Sequence, residues 1–99
     1  MQKSTIAALA AGAAVLGSAT VALAYPGQQL AGQAHVSLAR ARTLALRIAP
    51  GTIVSQELEK ESGGSGLRYT FDIKTARGVR EVGVDAKTGS VLENAADRG

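Results

Sequence analysis

The sequence predicts an α+β fold in which one helix packs on a short antiparallel sheet of three or four strands. Apolar residues recur at every third or fourth position from residue 38 to 49, which is the spacing of one helix face. From residue 52 onwards apolar and polar residues alternate, which is the spacing of strands, and glycine-containing turns separate the alternating stretches. Because short turns join successive strands, we expect antiparallel pairing.

The first 24 residues have the composition of a secretory signal peptide. Lys3 gives a positive end, Ile6–Leu23 is an Ala-rich apolar run, and Ala22-Leu23-Ala24 offers the small residues of a cleavage site. The mature protein would begin at Tyr25 and be periplasmic or secreted. An uncleaved membrane anchor is the alternative, since a spanning helix needs only about 20 apolar residues. Cleavage is favoured because glycine and hydroxyl residues weaken the hydrophobicity of the run.

The composition of the remaining chain excludes several kinds of site. It contains no Cys, which excludes a disulfide framework and thiolate metal sites. Without Lys3 it has ten Lys and Arg against eight Asp and Glu. The basic residues are scattered, and the chain has only two Tyr and one Phe, whereas nucleic-acid binders show a basic stripe or stacking aromatic residues. We therefore expect no nucleic-acid partner.

A lead-in precedes the predicted helix. Residues 25–35 are without charged side chains or apolar periodicity and are expected to be flexible. Ser37 can cap a helix from Leu38 to about Ala49, because its hydroxyl can accept a hydrogen bond from an N–H of the first turn. Pro50-Gly51 then ends the helix. The predicted core-facing residues are Leu38, Ala41, Leu44, Ala45 and Ile48.

Two strands and a hairpin follow. In the first strand, 52–60, Val54 and Leu58 are predicted to face the core. Ser62–Gly66 is a glycine-rich connection that we expect to be a mobile tip. The second strand, 67–74, shows the clearest alternation. Its predicted core-facing residues are Leu67, Tyr69, Phe71 and Ile73, and its predicted solvent-facing residues are Arg68, Thr70, Asp72 and Lys74.

The second half of the sheet is predicted from a third and a fourth strand. Val82 and Val84 are the inward residues of strand 79–85, and Gly83 is its weak point. In the turn 85–89 the Asp85 side chain is expected to accept from backbone N–H groups, with Gly89 at positive φ. Residues 90–94 form the last predicted strand, and residues 95–99 are expected to fray as a tail.

The only core is predicted at the apolar face of the second strand. Tyr69, Phe71 and Ile73 would pack against three helix residues, Leu44, Ala45 and Ile48. Phe71 is the sole Phe and the chain has no Trp, so no second large cluster can form elsewhere.

Several of these segments together resemble the PepSY family. Glu81–Leu92 is similar to that family's strand, D-A-x-T-G turn and returning strand. The likeness is supported by Val36–Ala41, Pro50-Gly51, Val54 with Glu57-Leu58-Glu59, and Tyr69–Ile73. The resemblance implies a PepSY-like domain over residues 36–94, with a helix on an antiparallel sheet. Such domains occur in propeptides of thermolysin-like metallopeptidases, in exported bacterial proteins and in membrane proteins, where they are proposed to regulate or inhibit peptidases.

The chain departs from the family pattern in two places. Arg40 and Arg42 lie in the first turns of the helix, where acids are usual and where the helix dipole disfavours cations. Gly83 stands where a strand residue with a side chain is usual.

Candidate catalytic and metal-binding residues have simpler explanations. His35 is the only His and lacks the further ligands of a catalytic zinc site. Ser37 lies outside a G-x-S-x-G turn and is a helix cap. Asp85–Gly89 lacks the alternate acids of a calcium loop, and Ser62–Gly66 lacks the Lys-Ser/Thr of a phosphate-binding loop.

The acidic residues of the first strand are also expected to be structural. Glu57, Glu59 and Glu61 alternate on its outer side, where they could pair across the sheet with Arg68 and Lys74. A paired-carboxylate acid/base site would need a pocket of mixed burial, which the sequence does not predict. We therefore predict no catalytic, cofactor-binding or metal-binding residue.

These observations favour a non-enzymatic binding module with a protein partner, which would regulate or inhibit a peptidase or another envelope protein. An exposed sheet edge, at the first or the last strand, could pair with an extended peptide. The alternative is an accessory or sensory domain that binds a small ligand beside a membrane protein. An exported enzyme is the third and least favoured class.

Overall fold

One helix lies on one face of a four-stranded antiparallel sheet in a computed structural model that describes residues 24–97. The strand order follows the chain, β1-β2-β3-β4. The α+β prediction is therefore confirmed. The elements are a 3-10 helix (Gln28–Gln33), α1 (Leu38–Ile48), β1 (Thr52–Lys60), β2 (Leu67–Thr75), β3 (Gly78–Asp85) and β4 (Val91–Ala96).

Residues 1–23, which hold nearly all of the predicted signal peptide, lie outside the described residues. Among the helices that the structure describes, none has the length and apolar character needed to cross a membrane.

The helix begins and ends as predicted. The Ser37 hydroxyl accepts a hydrogen bond from the Arg40 backbone N–H at 3.0 Å, and the Ala49 N–H closes the last turn on Ala45. The predicted inward position of Ile48 is wrong, because its side chain is 45% exposed. Ala49 leaves helical geometry and takes the buried place at this end of the helix.

A β-bulge reverses the predicted faces at the start of β1. Ile53 pairs with Ile73, but the next paired residue is Ser55, opposite Asp72. Val54 is therefore an extra residue, and a single extra residue turns the following side chains over. Val54 is 56% exposed, which corrects its predicted core position, and Ile53 packs against the core in its place.

The core forms where β2 was predicted to supply it. Tyr69, Phe71 and Ile73 are fully buried, and the Tyr69 and Phe71 rings stack with centroids 6.3 Å apart. The Tyr69 hydroxyl donates to the Val36 carbonyl at 2.7 Å, so the buried phenol has a partner. The other buried apolar residues are Ala41, Ala45, Ala49, Leu58, Leu67, Val82, Val84 and Ala86.

The segment before α1 is built into the fold, contrary to the expectation of a flexible lead-in. The Leu58 N–H at the outer edge of β1 donates to the Pro26 carbonyl at 2.9 Å. Gly27 has φ of 86°, and a Cβ there would lie 1.6 Å from the Leu58 carbonyl oxygen. Tyr25 and Leu30 pack against the core. The segment is held by backbone hydrogen bonds and two apolar side chains, which produce no apolar periodicity in the sequence. Its packing against the domain could therefore not be predicted from the sequence.

The chain end is also more ordered than predicted. Ala95 and Ala96 continue β4 opposite Glu81 and Arg80 of β3, and the Asp97 N–H donates to the Val79 carbonyl at 2.9 Å. The expectation that fraying starts at residue 95 is therefore wrong for these residues.

Candidate binding face

The sheet has two unlike faces. The inner face carries the core and is covered by α1. The outer face is the opposite one, and polar side chains stand on all four of its strands because successive residues of a strand point to opposite faces. We define the outer face by Ser55, Glu57 and Glu59 of β1, Arg68, Thr70, Asp72 and Lys74 of β2, Glu81 and Gly83 of β3, and Glu93 of β4.

Negative charge is concentrated on this face. All eight Asp and Glu residues of the chain lie between Glu57 and Asp97. The helix has no acidic residue. Asp72, Glu81 and Asp97 bring their carboxylate oxygens within 4.8 Å of one another at the centre of the face. The Ser55 hydroxyl donates to Asp72 at 2.8 Å.

The pKa of Glu81 is raised above its usual value. Burial on the face is the main cause, and the negative charges of Glu93, Asp72 and Asp97 add to it. These carboxylates therefore interact although they come from three different strands and the chain end.

The pKa of Glu59 is also raised, first by burial and then by its acidic neighbours Glu61 and Glu57. The Thr70 hydroxyl donates to Glu59 at 3.2 Å and opposes the shift. The repulsion between carboxylates thus extends along β1 as well.

Arg68 is a cation at one end of the outer face. Its Nη1 lies 3.2 Å from a carboxylate oxygen of Glu61 and 3.6 Å from one of Glu93. The predicted cross-strand pair is therefore present for Arg68, whereas Lys74 stands in register with Thr52. Arg68 is only 8% exposed, which corrects the expectation that it faces open solvent.

Gly83 makes room for Arg68. A Cβ at Gly83 would lie 3.0 Å from Cδ of Arg68 and 3.3 Å from Cβ of Glu93. This glycine was predicted to be a weak point of β3, but its missing side chain lets a buried arginine cross the strand.

Asp85 joins the two loops at one end of the sheet. Its carboxylate accepts from the backbone N–H and hydroxyl of Ser65 at 2.6 and 2.7 Å, and from the N–H groups of Lys87 and Thr88 at 2.8 and 3.1 Å. Burial alone would raise its pKa, but these hydrogen bonds outweigh burial and lower the pKa to about 2. Ser65, in the segment that was expected to be a mobile tip, is therefore held by a buried carboxylate.

A groove of about 550 Å³ opens on the acidic half of the outer face. Tyr25 and Pro26, which follow the edge of β1, contribute to its wall. The sequence did not reveal this groove, since it forms between the aperiodic lead-in and side chains from three strands. The other lining residues are Ala24, Ser55, Gln56, Glu57, Thr70, Asp72 and Glu81.

The two residues considered as catalytic candidates stand apart from this face. His35 is exposed, and its backbone N–H donates to the Ala86 carbonyl. The Ser37 hydroxyl accepts from the first turn of α1, as a helix cap does.

A comparison against protein-family models matches most of the folded region. The family model described as "Peptidase propeptide and YPEB domain" (PepSY) matches residues 36–94, more than half of the chain. The chain belongs to the PepSY family. The PepSY match spans α1 and nearly all of the sheet, and leaves out Tyr25 and Pro26 of the groove wall. Searches among the curated proteins and among solved structures found no match. PepSY membership is consistent with a non-catalytic module like those of peptidase propeptides, and PepSY domains occur in exported proteins.

Proposed function

We propose that this PepSY chain is an exported, non-enzymatic binding module, periplasmic or secreted, that regulates or inhibits a peptidase or another envelope protein. The observation that carries the proposal is the PepSY match, which spans α1 and nearly all of the sheet. A family named for peptidase propeptides supports a protein partner. The described residues supply an open polar face for one.

The structure favours β4 over β1 as an edge for a partner strand. At the free edge of β1, the Pro26 carbonyl already accepts a hydrogen bond from the Leu58 N–H. Within the described residues, β4 pairs with β3 alone and is the other end of the sheet. An extended segment of a partner could therefore add to β4 by backbone hydrogen bonds.

Site-specific photo-crosslinking in the producing cell tests this function. A photoreactive residue would replace Ser55 on the outer face, Ala95 on β4, or, as the control, Arg47 on the exposed side of α1. We expect one partner protein to be captured from Ser55 or Ala95 and not from Arg47, and mass spectrometry identifies it. If that partner is a peptidase, adding the purified PepSY protein should lower its activity. Equal capture from all three positions, or turnover of a substrate by the purified protein alone, would contradict the proposal.

The groove favours a second candidate function, the binding of a small ligand by an accessory or sensory domain beside a membrane protein. Its volume of about 550 Å³ lies in the range of roughly 300–1,000 Å³ that is usual for small-molecule sites. A rise in melting temperature with a small cationic ligand, in the absence of any protein partner, would favour this candidate.

A further inference from the structure

We propose that the outer face docks a basic, Lys- and Arg-rich segment of the partner protein, with Asp72 and Glu81 at the centre of contact. The inference rests on the proposed function and names the chemistry of the partner.

The first argument is the separation of charge across the molecule. The outer face and its rim hold seven acidic residues: Glu57, Glu59, Glu61, Asp72, Glu81, Glu93 and Asp97. The covering helix holds Arg40, Arg42 and Arg47 and no acid. The net charge of the whole chain is only +3, so its overall balance conceals a negative face. Arg68 and Lys74 are the cations of this face, and a face on which one sign is in excess attracts and orients a partner of the opposite sign.

The second argument is the repulsion between two carboxylates that face each other across neighbouring strands. Asp72 and Glu81 are directly opposite each other on β2 and β3. Like charges in this position destabilise a sheet. Arg68 pairs with Glu61 and Glu93, but it lies four residues from Asp72 along β2, a separation of about 13 Å. Lys74, the other cation of this face, is exposed and stands two residues from Asp72, so the acidic residues of the face and its rim outnumber its cations. A cationic side chain from outside would relieve this repulsion on binding.

The third argument is the shape of the face. The groove is lined by three acidic residues, Glu57, Asp72 and Glu81, and by Tyr25. Lys and Arg side chains are long, and their charged ends interact favourably both with carboxylates and with the face of a tyrosine ring. A chain with basic residues on one side would therefore match the residues that line the groove.

Titration of the purified, ¹⁵N-labelled protein with a synthetic peptide in which Lys and Thr alternate tests the inference. We expect amide shifts at outer-face residues such as Ser55 and Asp72 and none at the exposed positions of α1. Binding should weaken steeply with salt, because screening acts over about 8 Å at physiological ionic strength. A matched peptide with Glu in place of Lys should not bind.

The double variant Asp72→Asn/Glu81→Gln should weaken peptide binding by about tenfold or more. It should also melt at a higher temperature than the unmodified protein, because the repulsion is removed. If binding weakens while the melting temperature rises, the lost affinity cannot be caused by unfolding and must come from the docking surface. A lower melting temperature would show that the two carboxylates stabilise the sheet, and would overturn the inference.

A charge-balanced variant distinguishes the effect of the outer-face carboxylates from the effect of the protein's net charge. Adding Arg40→Gln and Arg47→Gln on α1 restores the net charge of the double variant to its starting value. We expect binding to stay weak in this quadruple variant. Recovery of binding to that of the unmodified protein would show that only net charge matters, and would overturn the inference.

Three further results would overturn it. They are peptide shifts confined to α1, self-association of the protein through the same face, and Ca²⁺ alone producing the same shifts and displacing the peptide. The proposed function has a separate outcome. Photo-crosslinking from Ala95 that persists unchanged in the double variant would leave the binding module intact and remove only the basic-segment inference.

Discussion

The carboxylate of Asp85 accepts two hydrogen bonds from Ser65, a residue 20 positions earlier in the chain. This contact joins the glycine-rich hairpin between β1 and β2 to the turn between β3 and β4. Gly64 permits it, since a Cβ there would lie 2.2 Å from the carboxylate. Both loops at this end of the sheet therefore depend on one side chain, which is 1% exposed.

Replacing Asp85 should destabilise both loops together. Asp85→Asn keeps one acceptor oxygen but loses the charge and the second acceptor. Hydrogen bonds to charged groups contribute about 1.5–3 kcal/mol each, so we expect a loss of about 2–4 kcal/mol in the free energy of unfolding. Ser65→Ala removes only the hydroxyl of an exposed residue and should cost less, about 1.5 kcal/mol, the low end of this range. Urea denaturation measures both, and equal losses would contradict the central role of Asp85.

The pH dependence of stability should have a maximum in the mildly acidic range. The folded-state pKa of Asp85 is lowered from 3.8 to about 2, so its contribution is present above pH 3.8 and is lost as the pH falls towards 2. The pKa values of Glu59 and Glu81 are raised above 4.5. Their protonation therefore favours the folded state, and this contribution is lost as the pH rises through their folded-state pKa values.

Thermal melts across the pH range check this profile. The double variant Glu59→Gln/Glu81→Gln should lose the decline between mildly acidic and neutral pH and keep the acid-side loss that belongs to Asp85. If this variant still lost stability between mildly acidic and neutral pH, Glu59 and Glu81 would not be the cause of that decline.

A side chain at Gly83 should displace Arg68. Gly83→Val places methyl groups beyond a Cβ that would already be 3.0 Å from the Arg68 side chain. Overpacking of this kind costs about 1–3 kcal/mol, and the ion pairs of Arg68 with Glu61 and Glu93 should break. Gly32→Ala is the control, since a Cβ at Gly32 would meet no atom within 4 Å. Urea denaturation that showed equal effects of the two substitutions would contradict the crowding at Gly83.

The parts of the fold that follow from local pattern could be predicted from the sequence. The core-facing residues of β2, the Ser37 cap and the turn chemistry of Asp85 each depend on neighbouring residues, and the structure has them as expected. The predicted solvent-facing side of β2 is only partly so, because Arg68 and Thr70 are 8% and 7% exposed. Val54 was assigned to the wrong face, because a single bulged residue changes which face of the sheet a side chain lies on without disturbing the apolar–polar alternation of the sequence. The acidic face was missed for a different reason. Asp72 and Glu81 meet only through strand register, and their approach to Asp97 depends on β4 running past residue 94.

The predicted signal peptide has its own test, which is the intact mass of the exported protein. We expect a soluble protein that begins at Tyr25, because Ala22-Leu23-Ala24 provides the cleavage site. Recovery of a chain that retains residues 1–24 in the membrane fraction would show an anchor instead.

The last prediction concerns the register of β2, which places Phe71 inward and Asp72 outward. Phe71 is fully buried between α1 and the sheet. Phe→Ala in a core costs about 3–5 kcal/mol, which is comparable to the whole stability expected of so small a domain. Phe71→Ala should therefore be largely unfolded in urea titrations.

Asp72→Ala, one residue away, should change stability by less than about 1 kcal/mol. It removes the hydrogen bond from Ser55, but it also removes the repulsion that Asp72 exerts on Glu81. These two effects have opposite signs, so the net change depends on their difference. A one-residue slip of β2 would exchange the two side chains between core and outer face. Greater damage from Asp72→Ala than from Phe71→Ala would therefore refute the register, and with it the position of Asp72 on the acidic face.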